Sequence, residues 1–180
     1  MLTVICGSMF SEKSTELLRR GRRLERAGKK VIYIKPDMDT RYSDKEIVTH
    51  DGLSVPAYKV DVNNPAELMD LCIDYEVVLI DEIQFFDSFI IKVIKALMMN
   101  DITVLVAGLD LDYKAEPFFN TTTLMGYAEE VIKLQAVCTH CGGDAWVSAK
   151  VEDDSDSRIE LGSEELYFPL CRKCYEIYTY

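Results

Sequence analysis

The segment Gly7-Ser8-Met9-Phe10-Ser11-Glu12-Lys13-Ser14 lies between an apolar run, residues 2–6, and a sequence that opens a helix at Thr15. A loop that joins a strand to a helix and ends in Lys-Ser has the layout of the phosphate-binding P-loop, G-x-x-x-x-G-K-[ST]. In that motif, backbone N–H groups and the helix N-terminus converge on an anion, the lysine adds positive charge and the hydroxyl binds Mg²⁺. The segment therefore predicts a site for nucleotide phosphates that uses all eight residues.

One position departs from the motif, because Glu12 stands where the pattern has its second glycine. Glycine serves there because the backbone must approach the phosphate closely and a Cβ is in the way. If the loop keeps its usual shape, Glu12 adds bulk and a carboxylate that faces the anion. A like charge a few ångströms from a phosphate costs about 1 kcal/mol in water and several times that in a partly dry site. We therefore expect weaker ATP binding or slower turnover unless Glu12 turns outward.

The composition of the 180-residue chain, 48% hydrophobic and 28% charged, is typical of a globular protein. A net charge of −11 and a pI of 4.6 argue against broad binding to nucleic acid or to an anionic membrane. The basic run at residues 19–23 is therefore better explained as a solvated helix face than as a nucleic-acid stripe. No apolar run approaches the roughly 18–20 residues of a membrane helix, and no charged secretory leader is present. Six cysteines without such a leader suggest a reducing compartment.

Apolar strands of the buried type alternate with helical patterns along most of the chain. Strands are predicted at residues 2–6, 31–34, 55–60, 77–80 and 103–107, and helices at 15–27, 65–74 and 89–99. This alternation favours an α/β fold, a P-loop NTPase-like parallel sheet with helices on both faces. Ligands of such sheets bind at the carboxyl ends of the strands. Four candidate loops fall at such ends: residues 7–14, 37–41, 81–82 and 108–113.

Two Cys-x-x-Cys pairs follow a change of sequence character near residue 134. Each pair forms a turn that can present two thiolates to one tetrahedral Zn²⁺, and four thiolates close the shell of a structural metal. The alternative is a set of redox-active or merely buried cysteines. We predict a structural zinc and two domains, the P-loop domain at 1–133 and a small C-terminal zinc-ribbon lobe at 134–180. The expected ligands are Cys138, Cys141, Cys171 and Cys174.

Asp81 and Glu82 follow an apolar strand, as a Walker B pair does. Asp81 is placed to hold the Mg²⁺ environment and Glu82 to act on a nucleophile, since a hydroxyl attacking a γ-phosphoryl group needs alignment, charge neutralisation and a nearby base. The alternative is a surface acidic pair that ends a strand. Several aromatic residues near strand ends either stack on a base or fill the core, and filling the core is the commoner role: Phe85, Phe86, Tyr113, Phe118 and Phe119.

Seven segments occur in order along the chain: Met9-Phe10-Ser11-x-Lys13-Ser14-Thr15-Glu16-Leu17, Asp39-Thr40-Arg41-Tyr42-Ser43, Asp81-Glu82-x-Gln84-Phe85-Phe86, Gly108-Leu109-Asp110, Lys114-x-x-Pro117-Phe118, Ala136-Val137-Cys138-x-x-Cys141 and Tyr167-x-x-x-Cys171-Arg172-x-Cys174. Together, over nearly the whole chain, they resemble the type II thymidine kinases, a zinc-containing P-loop family that phosphorylates deoxythymidine. The resemblance implies transfer of the γ-phosphoryl group of ATP, bound with Mg²⁺, to the 5′-hydroxyl of thymidine.

The resemblance also implies roles for individual residues. Glu82 matches the catalytic base, and Gln84 completes its segment. The phosphate site gains a second loop formed by Asp39, Thr40 and Arg41. The thymine pocket is matched by Met9, Phe85, Leu109, Tyr113 (usually phenylalanine), Ser148 (usually threonine) and Tyr167. A "lasso" loop, from Arg158 to Tyr167, covers the base through backbone groups, and its implied binding residues are Arg158, Ile159, Glu160, Leu161, Gly162 and Tyr167.

The family is similar in being cytosolic and tetrameric, with thymidine triphosphate (dTTP) as feedback inhibitor, and these properties are expected here. Two alternatives stay open at this point. One is a catalytically impaired nucleotide- or nucleoside-binding relative, because Glu12 replaces the glycine. The other is a zinc-ribbon nucleic-acid module, which the acidic pI and the lack of a basic face disfavour. A second departure, Ser8 in place of a proline common in the family, should loosen the loop modestly.

Overall fold

The computed structural model describes residues 1–37, 46–48, 52, 54–150 and 166–179. In chain order the strands of this part are β1 (Leu2–Gly7), β2 (Val31–Pro36), β3 (Glu46–Val48), β4 (Ser54–Pro56), β5 (Tyr58–Val60), β6 (Val77–Ile80), β7 (Thr103–Gly108), β8 (Glu130–Leu134), β9 (Val147–Lys150) and β10 (Tyr167–Leu170). The helices are α1 (Lys13–Arg26), α2 (Leu68–Leu71), α3 (Ile90–Met99), α4 (Phe119–Tyr127) and α5 (Arg172–Thr179).

Six strands form one parallel sheet in the order β5-β2-β6-β7-β1-β8. Successive side chains of a strand point to opposite faces of the sheet, and those of β1 pack into two different cores. Leu2, Val4 and Cys6 join a core with residues of α2, α3 and α4, whereas Ile5 joins a second core with Leu17 of α1. Helices therefore cover both faces, which confirms the predicted fold.

The predicted elements differ from the structure mainly in length. The helix expected at 15–27 starts two residues earlier, at Lys13, directly after the P-loop. The strand expected at 55–60 is two strands, β4 and β5, and β4 pairs with β3 rather than with the main sheet. The helix expected at 65–74 is a 3₁₀ turn, Pro65–Glu67, followed by the single turn of α2. The four central strands, β1, β2, β6 and β7, end within two residues of their predicted carboxyl ends.

The C-terminal residues build a small lobe with its own core. Strands β9 and β10 form an antiparallel hairpin in which Lys150 pairs with Tyr167. A separate buried cluster joins the hairpin to both cysteine pairs: Ala136, Cys138, Ala145, Ala149, Leu170 and Cys174. The predicted domain boundary between residues 133 and 134 falls inside β8 of the main sheet, which ends at Leu134. The division into two domains stays a prediction.

Within the described residues, no helix combines the length and the apolar composition that crossing a bilayer requires.

Candidate active site

The P-loop is a compact turn between β1 and α1. Gly7 has φ +145°, and a Cβ on it would lie 2.2 Å from the carbonyl oxygen of Leu134 on β8. The hydroxyl of Ser11 and the ammonium of Lys13 both donate to the carbonyl oxygen of Ser8, each at 2.7 Å. Lys13 thus lies folded against the loop at the N-terminus of α1, where the helix dipole favours an anion.

Ser14 and Asp81 meet across the ends of the strands. The hydroxyl of Ser14 donates to Oδ2 of Asp81 at 2.8 Å, and the backbone N–H of Glu82 donates to Oδ1 at 3.0 Å. Burial, and then the neighbouring Glu82, raise the pKa of Asp81 to about 7, while the bond from Ser14 acts in the opposite direction. A hydroxyl and a carboxylate in contact beside an anion loop are oxygen ligands of the kind that Mg²⁺ takes together with substrate phosphates.

The side chain of Glu82 is held by Gln84. Nε2 of Gln84 donates to Oε2 of Glu82, and Oε1 of Gln84 accepts the N–H of Leu109 at 3.1 Å. Gly108 makes room for this link, because a Cβ there would lie 2.7 Å from Oε1 of Gln84. Glu82 itself has φ 51°, a left-handed conformation that its surroundings must enforce. One amide therefore connects the candidate base to the loop that follows β7.

Three carboxylates act on the ammonium of Lys13. Burial lowers the pKa of Lys13, whereas Glu82, Asp81 and Asp110, in that order, raise it. Lys13 and Glu82 belong to two of the four loops predicted at the carboxyl ends of strands, and in the structure their charges lie close enough to interact. A nucleotide phosphate entering this site would add negative charge to a region that already holds these carboxylates, so a cation bound with it would be favourable.

Asp110 and Lys133 were not among the predicted site residues. The side chain of Asp110 is 3% exposed, and Nζ of Lys133 lies 2.7 Å from its Oδ2. Neither oxygen of Asp110 has a hydrogen-bond partner among the residues that the structure describes. The contact with Lys133 is therefore an ion pair and not an aligned hydrogen bond. Strands β7 and β8 flank β1, so the pair spans the base of the P-loop. The sequence offered one clue, the segment Gly108-Leu109-Asp110.

The C-terminal lobe contacts the P-loop directly. The N–H of Met9 donates to Oγ of Ser148 on β9 at 2.8 Å. The ammonium groups of Lys114 and Lys150 each lie 5.3 Å from the centroid of the Tyr113 ring, which places the loop after β7 beside β9. The structure thus brings three predicted pocket residues to one border between the sheet and the lobe.

The other predicted pocket residues lie around this border. Leu109 is partly exposed, as is Phe85 in the 3₁₀ turn after β6, and Tyr167 starts β10. Of the aromatic residues with two possible roles, Phe86 and Phe118 are buried in the core at 4% and 6% exposure. Two predicted groups lie outside the described residues: Asp39, Thr40 and Arg41 of the second phosphate loop, and Arg158, Ile159, Glu160, Leu161 and Gly162 of the lasso.

The four cysteines of the lobe converge. Their Sγ atoms all lie within 4.8 Å of one another, and those of Cys141 and Cys171 are 3.7 Å apart. Ligands at a Zn–S distance of 2.3 Å in a tetrahedron are about 3.8 Å apart. The N–H of Cys174 also donates to Sγ of Cys171 at 3.4 Å. The geometry fits a zinc ion, and the four clustered cysteines are the ones that the sequence predicted as ligands.

Glu12 lies exposed at the start of α1 with φ 62° and ψ 31°. This is the left-handed conformation that glycine adopts without cost and other residues adopt at about 1–2 kcal/mol. We expect Glu12→Gly to relieve this strain and to stabilise the fold by about 1 kcal/mol. The net gain is smaller than the full strain because glycine loses more backbone entropy on folding. Removing the charge near the phosphates should lower the KM for ATP about fivefold, the equivalent of about 1 kcal/mol. Urea unfolding and steady-state kinetics measure the two effects.

Glu12→Gln is the matched control, because it removes the charge and keeps the strained backbone. It should reproduce the change in KM but not the change in unfolding free energy. Unchanged kinetics in both variants would show that the carboxylate points away from the bound phosphates.

A parallel sheet with an anion loop after β1 and an acidic pair after β6 defines a P-loop nucleotide-binding protein. The family model described as thymidine kinase matches residues 1–175. Thymidine kinases from Bacteroides thetaiotaomicron and Bacteroides fragilis are each 42% identical to the chain, over 174 and 175 residues, which is 97% of this chain and 86% of each relative. The chain belongs to the thymidine kinase family.

Among solved structures, a DNA replication initiation factor matches with 13% identity and a TM-score of 0.45, over 74% of this chain and 39% of that chain. The sequence relatives, and not this likeness, place the chain in its family.

Proposed function

We propose that the protein transfers the γ-phosphoryl group of ATP to the 5′-hydroxyl of thymidine. The observation that carries the proposal is the contact of Ser14 with Asp81 beside the P-loop lysine, with Glu82 fixed by Gln84 at the same sheet edge. An anion loop, a metal-binding oxygen pair and a carboxylate base are the parts that phosphoryl transfer to an alcohol needs. Family membership supports thymidine as the acceptor.

In the proposed reaction, Lys13 and the N–H groups of the loop bind the β- and γ-phosphates. Ser14 and Asp81 would hold Mg²⁺, which neutralises charge on the transferring group. Glu82 accepts the proton of the 5′-hydroxyl while the new P–O bond forms and the bond to the leaving ADP breaks. Gln84 keeps the carboxylate oriented. Arg41, outside the described residues, is proposed to add positive charge to the transferring group.

The thymine base is proposed to bind where the P-loop, the loop after β7 and the lobe meet. Met9, Leu109, Tyr113 and Ser148 would line this pocket, with Phe85, Tyr167 and the lasso completing it. The contact of Met9 with Ser148 and the position of Tyr113 beside Lys150 support the location. The four-cysteine zinc would then be structural, since a shell of four thiolates leaves no open position for substrate.

Family membership alone supports three further proposals: a homotetramer, feedback inhibition by dTTP and a cytoplasmic location. The division into domains at 1–133 and 134–180 is a fourth proposal, and the separate core of the C-terminal lobe supports it. The alternative of a catalytically impaired relative gains no support from the comparisons.

The direct test is transfer of label from [γ-³²P]ATP to a panel of nucleosides with Mg²⁺ present. We expect a labelled monophosphate with thymidine at a higher kcat/KM than with deoxycytidine, deoxyadenosine or deoxyguanosine. The Lys13→Met variant controls for a contaminating kinase, because its P-loop lacks the positive charge. Absence of product with every nucleoside, in a protein that still binds a non-hydrolysable ATP analogue, would refute the proposal and favour the impaired relative.

A further inference from the structure

Helix α5 of the C-terminal lobe touches the loop that follows β7. The hydroxyl of Tyr175 donates to the backbone carbonyl oxygen of Tyr113 at 2.8 Å. Tyr175 comes directly after Cys174, one of the four clustered cysteines, and Tyr113 is a proposed pocket residue. A side-chain hydrogen bond therefore joins the cysteine cluster to the proposed nucleoside pocket.

The lobe holds Tyr175 in place from two sides. Its backbone N–H donates to the carbonyl oxygen of Cys171 at 2.9 Å. Its ring packs edge-on against Trp146, with centroids 5.9 Å apart and planes at 82°, and the guanidinium of Arg172 covers Trp146 at 3.8 Å. Aromatic pairs in this arrangement are favourable beyond their buried area. The position of the hydroxyl is thus set by the packing of the lobe.

The loop that receives the bond is anchored on both sides of Tyr113. Leu109 donates its N–H to Gln84, and Oδ1 of Asp112 accepts the N–H groups of Lys114 at 3.0 Å and Glu116 at 2.9 Å. Tyr113 lies within this loop, and its carbonyl group is where α5 holds the loop. A carbonyl that loses a partner must find water or move, and the Tyr113 ring moves with its backbone.

We propose that Tyr175 is a positioning residue for the nucleoside: its hydroxyl fixes the loop that carries Tyr113, and so makes thymidine binding depend on the four-cysteine lobe. The inference deepens the proposed function and rests on it. Tyr175 takes no part in the chemical step. Its effect should therefore appear in the binding of thymidine and not in the binding of ATP.

The test compares Tyr175→Phe with the wild-type chain. We expect the KM for thymidine to rise about fivefold, the equivalent of one neutral hydrogen bond of about 1 kcal/mol. The KM for ATP and kcat should stay within twofold. Tyr178→Phe is the matched control on the same helix, because it removes a hydroxyl that donates to the carbonyl oxygen of Lys150 at 3.1 Å, and it should leave the KM for thymidine unchanged.

Trp146 supplies a second measurement that does not depend on turnover. It is the chain's only tryptophan and packs on Tyr175, so its emission should change when thymidine binds. We expect this change to need about fivefold more thymidine in Tyr175→Phe, in line with the lost hydrogen bond. Bound zinc and the unfolding midpoint, measured on the same samples, establish that the lobe is intact.

Two results overturn the inference: an unchanged affinity for thymidine in Tyr175→Phe, or an equal rise in the KM for ATP, which would mark a general structural role. A wild-type chain that binds thymidine but transfers no phosphoryl group instead refutes the proposed function. In that case the emission of Trp146 still decides whether Tyr175 positions the nucleoside.

Discussion

Replacing Glu82 by glutamine is expected to lower kcat by about 10²–10⁴-fold, the contribution typical of a general base. The variant keeps the size of the side chain and removes its ability to take a proton from the attacking hydroxyl. Binding of an ATP analogue should be retained, because Lys13, Ser14 and Asp81 keep the hydrogen bonds that hold them in place. Single-turnover transfer from labelled ATP to thymidine measures the chemical step, and titration with a non-hydrolysable ATP analogue measures binding.

Gln84→Ala is the informative companion to this variant. It leaves the carboxylate and removes the amide that joins Glu82 to the N–H of Leu109. We expect a smaller fall in kcat than in Glu82→Gln, because the base remains but is held less well. If Glu82→Gln transfers phosphate within threefold of the wild-type rate, another group accepts the proton and Glu82 is not the base.

Removing the metal from the four cysteines should abolish thymidine phosphorylation and unfold the C-terminal lobe. Structural zinc contributes about 10–16 kcal/mol of apparent binding free energy in small zinc modules, more than the few buried residues of this lobe can replace. The hairpin of β9 and β10 would then release Ser148 from Met9 and Tyr175 from Tyr113. Cys141→Ser, or dialysis against a chelator, tests this through metal content, thermal unfolding and activity.

Cys72→Ala is the control for cysteine loss, since Cys72 is fully buried in the main core and lies outside the cluster. It should destabilise the core without changing the metal content. Binding of an ATP analogue should partly survive metal loss, because the P-loop joins β1 to α1 and both elements lie outside the C-terminal lobe. A metal-free chain that keeps full activity would show that the lobe does not organise the nucleoside site.

The central sheet could be predicted from the sequence because its strands are buried on both faces. Continuous apolar runs such as 77–80 and 103–107 have few other interpretations when helical patterns separate them. Strand β8 was not predicted because it lies at the edge of the sheet and lacks a continuous apolar run. Its Glu130 and Lys133 are exposed and form ion pairs. Helix α4 was not predicted either, because its nine residues include three threonines and a glycine and show no strong amphipathic pattern.

The parts of the site that were predicted are those in which chemistry fixes the spacing: the P-loop, the acidic pair and the two cysteine pairs. The contacts that connect them could not be predicted. The bonds of Gln84 to Leu109 and of Tyr175 to Tyr113 join residues far apart in the chain, and nothing in the local sequence of either partner names the other. The Asp110–Lys133 pair depends on the order of strands in the sheet, which the alternating pattern leaves open.

Strand β7 separates β1 from β6, so side chains, and not neighbouring backbones, must join the P-loop to the acidic pair. Neighbouring strands are about 4.8 Å apart, so the strand that leads to Lys13 and the strand that leads to Glu82 are separated by about 9–10 Å. The bond from Ser14 to Asp81, at 2.8 Å, bridges that separation with side chains alone and so couples the P-loop to the acidic pair.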